Sequence, residues 1–225
     1  MSTATPQPPS DAKQRLLAAR RALYRETIIG AAERVFAEHG YEAAKIAAIA
    51  KEAGLSLQTL YGVFPKKWDV YRAVQADRLS ALMLEVGRAV MAADDAFMRL
   101  RCGLEGYLRF HMARPDFLRM QLRERIPWGT TDLQGTPEQT QAWEMGLKMM
   151  TAAFVEGTAA GFFVETDPEL AARTATAMSQ VHLSMWIDRG MPQSPDVVAH
   201  EAMAQIVRTF ARTDRVEELT ARLVA

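Results

Sequence analysis

The chain of 225 residues has one cysteine, Cys102, so no intrachain disulfide can form and a reducing compartment suits it. No apolar run approaches the ~20 residues of a bilayer span. Residues 1–10 are rich in Pro, Ser and Thr and lack an apolar centre, so neither a signal peptide nor an anchor is expected. These absences together point to a cytoplasmic protein without a membrane partner. Histidine is scarce as well: His39, His111, His182 and His200 are scattered, with no His-x-x-x-His and no Cys pair at metal spacing. Cys102 lies between Arg101 and Gly103 in a helical context, without a nucleophile elbow or an activating base. Gly157 and Gly161 follow no strand, so a phosphate-binding loop is not expected either. An enzyme is therefore not expected, nor a metal or cofactor.

What is present is helix. Hydrophobic residues make up 49% of the chain, ample for a packed core, and no segment alternates as a strand does. Lys13 to His39 reads as a long first helix, with Ile28, Ala32, Val35, Phe36 and His39 on one face and Gly40 ending it. Another long helix starts at Pro65 and runs to about Met91. Asp94 or Asp95 caps a helix that carries Tyr107 and Phe110 and ends near Pro115, and a short helix follows. Ile126 to Thr136 breaks the period as an interior loop. Thr136-Pro137-Glu138-Gln139 then restarts helix with a cap, Pro at the first position and a capping-box Gln. Asp167-Pro168-Glu169 and Ser194-Pro195-Asp196 repeat the cap-Pro-acid signal, and Asp214 with Glu217 suggests a last short helix. The fold class is all-α.

The most informative stretch is Gly40 to Lys67. Ile46, Ile49 and Ala50 share a helical face, and Ala53-Gly54-Leu55-Ser56 interrupts it. Gly54 tolerates positive φ at a helix end, and Ser56 can cap the next helix. In the helix that follows, Leu60 and Phe64 return to the core, while Leu57, Gln58, Thr59 and Tyr61 project outward. This is a helix-turn-helix whose second helix can enter a major groove, about 12 Å wide, by its N-terminus.

These residues resemble the DNA-binding signature of the tetracycline-repressor (TetR) family. Gly40, Tyr41, Ile46, Ile49, Ala50, Ala53, Gly54, Leu55, Ser56, Thr59, Leu60, Tyr61, Phe64 and Lys67 fill its places. Ala44 and Lys45 depart from it, standing where the family usually has a hydroxyl pair that caps the helix and touches a phosphate. Gly62 and Val63 replace a polar or aromatic pair that commonly grips the backbone. A Gly inside a short helix costs ~1 kcal/mol relative to Ala, which close approach of the backbone to DNA would compensate. The expected DNA-binding residues are Lys45, Ser56, Leu57, Gln58, Thr59, Tyr61 and Lys67.

The net charge of zero conceals an asymmetry. Residues 1–72 carry 11 Lys/Arg against 7 Asp/Glu, and the remainder 16 against 20. A basic head on an acidic body suits a DNA reader with a second domain of another role, although ordinary fluctuation could give the same excess. Lys13, Arg15, Arg20, Arg21 and Arg25 could form an arm entering a minor groove or a solvated helix face.

The expected organisation is a basic arm without fixed structure at 1–15, a three-helix DNA-binding domain at 16–66 and a larger helical domain for effector binding and dimerisation at 67–225. The resemblance implies a homodimer through the helices at about 168–189 and 195–212, as a palindromic operator on double-stranded DNA would require. Intrachain core is the alternative for both stripes. The resemblance also implies a cavity for a small apolar or aromatic effector. Its expected lining is Tyr107, Phe110, His111, Phe117, Met120, Trp143, Leu147, Met150, Phe154, Met178, His182 and Trp186, large and adaptable side chains with few polar groups. The expected function is a dimeric, sequence-specific transcriptional regulator, a repressor controlled by such a ligand. The alternative is a helical interaction module that has lost specific DNA binding.

Overall fold

The computed structural model describes residues 11–123 and 135–223. Residues 1–10 of the anticipated arm and most of the anticipated loop, including Pro127, Gly129 and Asp132, lie outside them. Among the described residues the helices are α1 (Asp11–Ala43), α2 (Ile46–Glu52), α3 (Leu57–Val63), α4 (Lys67–Met91), α5 (Ala96–Met112), α6 (Pro115–Arg123), α7 (Pro137–Ala159), α8 (Pro168–Asp188), α9 (Pro195–Phe210) and α10 (Val216–Ala221). The fold is all-α as expected, and strand-like pairing among these residues is limited to Phe163 opposite Ala211. None of the described helices is long and apolar enough to cross a membrane. The chain divides into two compact units between Val74 and Gln75, inside the unbroken α4 and a few residues past the boundary expected at 66/67.

In the smaller unit, Ile28, Ala32, Val35 and Phe36 of α1 are buried against Ile49, Leu60, Phe64 and Val70. His39 was expected on that face but is exposed. The buried stripe stops one turn earlier, and Gly40 breaks the helix with φ +75° before a last turn to Ala43. Residues 11–15 of the anticipated arm are helical, forming the start of α1. Tyr41, Trp68 and Tyr71 pack as an aromatic cluster beside Phe36.

In the larger unit α5 touches α6, α7, α8 and α9. The start signals act as read: Asp95, Thr136, Asp167 and Ser194 each accept a backbone N–H of the turn they open, and Thr136 with Gln139 forms the full capping box. Gly157 of α7 faces Phe163, and the chain after α7 pairs with that after α9, Val164 N–H donating to Phe210 and Arg212 N–H to Phe162.

The stripes expected to meet a partner are largely occupied within the chain. Ala171, Ala175 and Trp186 of α8, with Val198, Met203, Ile206, Val207 and Phe210 of α9, are buried in the unit's own core. The cause is simple, since both helices pack on α5 as well as on each other. What stays outside on α8 is Leu170, Val181 and Met185, with Val197 on α9.

Candidate nucleic-acid interface and enclosed cavity

The turn before α3 is built by local hydrogen bonds. Gly54, at φ +65°, donates its N–H to the Lys51 carbonyl, and Leu55 donates to Ala50, together closing α2 in a Schellman motif. Ser56 Oγ then accepts the Thr59 N–H at 3.1 Å and lies 2.8 Å from Thr59 Oγ1. This sets Leu57, Gln58 and Tyr61 on the exposed side of α3 and Leu60 beneath it. Lys45 is exposed before α2, whose first turn has no side-chain cap, in keeping with the absent hydroxyl.

Lys67 differs from its expected place at a phosphate. Its ammonium donates to the carbonyls of Tyr41 at 2.7 Å, Glu42 at 3.0 Å and Ala44 at 3.2 Å, and sits 4.5 Å from the Tyr41 ring centroid. An ammonium has three protons, so all are engaged in closing the last turn of α1. Lys66, outside the expected set, is exposed immediately before α4. Its position beside the Phe64-Pro65 break was the available signal.

Gly62 is exposed, and a Cβ there would meet nothing within 4 Å, so no close packing inside the chain requires glycine. Gly62→Ala is expected to stabilise the unit by up to ~1 kcal/mol, the helix propensity difference. Thermal melting checks this, and a lower transition would contradict it. Operator affinity measured alongside reports whether a duplex approaches this backbone.

The larger unit contains a cavity of about 300 Å³ that is partly open to solvent. Leu79, Leu82, Met83, Val86 and Val90 of α4 form one wall, and Leu100, Gly103 and Leu104 of α5 another. α7 adds Trp143, Gly146, Leu147, Met150 and Ala153. Of the twelve expected lining residues, Tyr107, His111, Trp143, Leu147 and Met150 do line it. The other seven do not. Phe110, Phe117, Met120 and Phe154 are core side chains, Phe154 meeting Phe163 at a tilt and Phe210 edge-on. Met178 packs on the core, His182 pairs with Gln205 at 2.9 Å, and Trp186 donates its indole N–H to the Gln193 carbonyl. The α4 wall was missed, although its apolar residues recur at helical spacing.

Polar groups in the wall are few. Burial pushes the Tyr107 hydroxyl up to about 12. Burial also pushes His111 down to about 4, against the raising effect of its bond to the Tyr107 carbonyl. Both are therefore neutral at pH 7. His111 Nδ1 lies 2.9 Å from that carbonyl, which fixes it as the donor and leaves Nε2 as an acceptor. Arg99 lines the cavity too, paired with Glu156 where the wall meets solvent. Gln121, Gln139 and Thr176, whose hydroxyl donates to the Ala172 carbonyl at 2.9 Å, complete the polar set among the described lining residues.

Residues 28–74 match the family model described as "Bacterial regulatory proteins, tetR family". Over 86 residues, the chain is 35% identical to the HTH-type transcriptional activator FasR of Mycolicibacterium smegmatis, covering 38% of this chain and 39% of the relative. Over 114 residues it is 29% identical to the HTH-type transcriptional repressor SCO4008 of Streptomyces coelicolor, covering 51% and 56%. The chain thus matches these curated relatives over only 39% and 56% of their length. The fold is that of the transcriptional regulator FadR from Bacillus subtilis, solved in complex with stearoyl-CoA. The TM-score is 0.66 at 18% identity, covering 81% of this chain and 97% of that one. The turn, the helix contents and the family match converge: residues 28–74, which hold the helix-turn-helix, match the tetR family of bacterial regulatory proteins.

Proposed function

We propose that the protein is a dimeric, sequence-specific DNA-binding transcriptional regulator, a repressor whose DNA affinity is set by a small apolar ligand. The observation that carries the reading is the exposed N-terminal end of α3, where Leu57, Gln58 and Tyr61 stand clear of the core on a turn fixed by Gly54 and Ser56. A major groove accepts such an end, with Gln58 reading a base edge and Thr59 and Tyr61 near it. Lys45 and Lys66 supply positive charge for phosphates.

Pairing of two copies is supported by Leu170, Val181 and Met185, 60%, 57% and 41% exposed on one side of α8. These apolar side chains lack cover from their own chain, and a twofold partner would bury them. The apolar cavity supports a ligand, as does the acyl-CoA bound by the B. subtilis structure. α4 supplies Leu79, Leu82, Met83, Val86 and Val90 to the cavity wall. The ligand must bind two conformations with different affinity for its occupancy to set DNA affinity. Relatives of both signs exist, and repression is the reading adopted.

The test is selection of bound duplexes from random DNA, followed by Gln58→Ala on the operator obtained. The substitution is expected to cost ~1–3 kcal/mol there and to relax specificity at one or two positions. Equal losses on operator and random DNA would move Gln58 to a phosphate. Absence of any salt-dependent DNA binding by the wild type would leave the helical interaction module as the better description.

A further inference from the structure

We propose that Gln121 is the polar anchor of the cavity, its carboxamide N–H donating to a neutral carbonyl oxygen of an otherwise apolar ligand. This rests on the effector reading above and specifies the chemistry of the ligand. Gln121 is on α6, 2% exposed, and lines the cavity.

Its orientation is fixed by a chain of bonds that starts at the backbone. The Thr136 N–H donates to Gln139 Oε1 at 2.7 Å, so the other end of Gln139 must be its NH₂ group. That group donates to Gln121 Oε1 at 3.3 Å, and Gln75 Nε2 donates to the same oxygen at 2.9 Å. Turning the Gln121 amide over would set its NH₂ group against that of Gln139, whichever way the Gln75 amide is turned. Its Nε2 therefore faces away from both, buried and with no hydrogen-bond partner among the described residues. A buried donor without an acceptor retains its desolvation penalty, and such groups are rare in folded proteins. A ligand oxygen would remove that penalty.

The wall decides which oxygen. Tyr107 and His111 are neutral, and Arg99, the one Lys or Arg among the described lining residues, is already paired with Glu156 near solvent. A carboxylate beside Gln121 would be buried without a counter-charge, which is unfavourable. A ketone, ester, thioester or amide carbonyl needs only the one donor. The volume, at the lower end of the roughly 300–1,000 Å³ of ligand pockets, suits a compact molecule or a single chain.

The experiment compares 2-nonanone, nonane and nonanoate at pH 7, read by Trp fluorescence because Trp143 is in the wall, and by thermal melting. The full-length wild type is expected to bind the ketone roughly tenfold tighter than the alkane, the scale of one neutral hydrogen bond. In Gln121→Met that ratio is expected to fall to about one. The ratio is taken within each variant, so a general change in stability cancels. Infrared spectroscopy of carbonyl-labelled ketone on the wild type gives a second readout, with a shift of the C=O stretch to lower frequency on binding. If Gln121→Met fails to fold, that shift decides. An equal ketone and alkane affinity, an unchanged ratio in Gln121→Met, an unshifted stretch or tightest binding of nonanoate overturns the anchor while leaving the cavity a ligand site. Failure of all three probes to bind the wild type overturns the effector reading and the anchor with it.

Discussion

Lys67→Met lowers the stability of the DNA-binding unit by about 2 kcal/mol and leaves the salt dependence of DNA binding unchanged. The magnitude follows from three charge-assisted bonds to carbonyls of the last turn of α1, some partly open to water. That turn follows the break at Gly40, so its carbonyls have no helix beyond them to accept donors from. Methionine keeps most of the stem's packing against Tyr41 and removes only the charge and the bonds. A phosphate contact predicts the reverse pattern: an unaltered melting transition and a plot of log affinity against log salt shallower by about one unit. Melting and salt titration of the one variant separate the two, and the second pattern would restore Lys67 to the DNA surface.

Gly157→Ala destabilises the larger unit by about 2 kcal/mol, although alanine is the better helix former by ~1 kcal/mol. A Cβ at this position would lie 2.3 Å and 2.5 Å from two ring carbons of Phe163. The ring cannot easily retreat. Phe163 is 2% exposed, packs against Phe154 at 5.2 Å, and its backbone is pinned by Phe162 N–H on the Gly157 carbonyl and Val164 N–H on Phe210. Overpacking of this kind costs ~1–3 kcal/mol, occasionally more, so the clash outweighs the propensity gain. For a chain of this size a loss of about 2 kcal/mol lowers the transition by roughly 4–8 °C. Phe163→Leu in the same chain is expected to recover part of it, because the two sites touch and their effects do not add. A transition for Gly157→Ala at or above the wild type would refute the steric account.

What could be read from the residues, and what could not, divides by distance along the chain. Gly54 and Ser56 were legible because their partners are within four residues, and the Thr136–Gln139 box for the same reason. Lys67 was not, since its acceptors lie 23 to 26 residues upstream and only the folded chain brings them together. The cavity was half legible. Helical spacing marks Phe110, Phe117 and Phe154 as buried but does not distinguish a side chain that fills space from one that borders a void. The α4 wall and Gln121 emerge only when α4, α5, α6 and α7 are set around that void. Which apolar side of α8 and α9 stays outside was not legible either, because each helix has two such sides and the sequence ranks neither.

The capping box at Thr136 has an angular consequence for the cavity. An α-helix turns by about 100° per residue, so starting α7 one residue earlier or later would swing Trp143, Leu147 and Met150 well away from the space they border. Pro137 and the two Thr136–Gln139 bonds fix the zero of that rotation. Gln139 then carries the same reference across to α6 through Gln121. The shape offered to a ligand is thus dialled at one helix start, by residues of which only Gln139 borders the void.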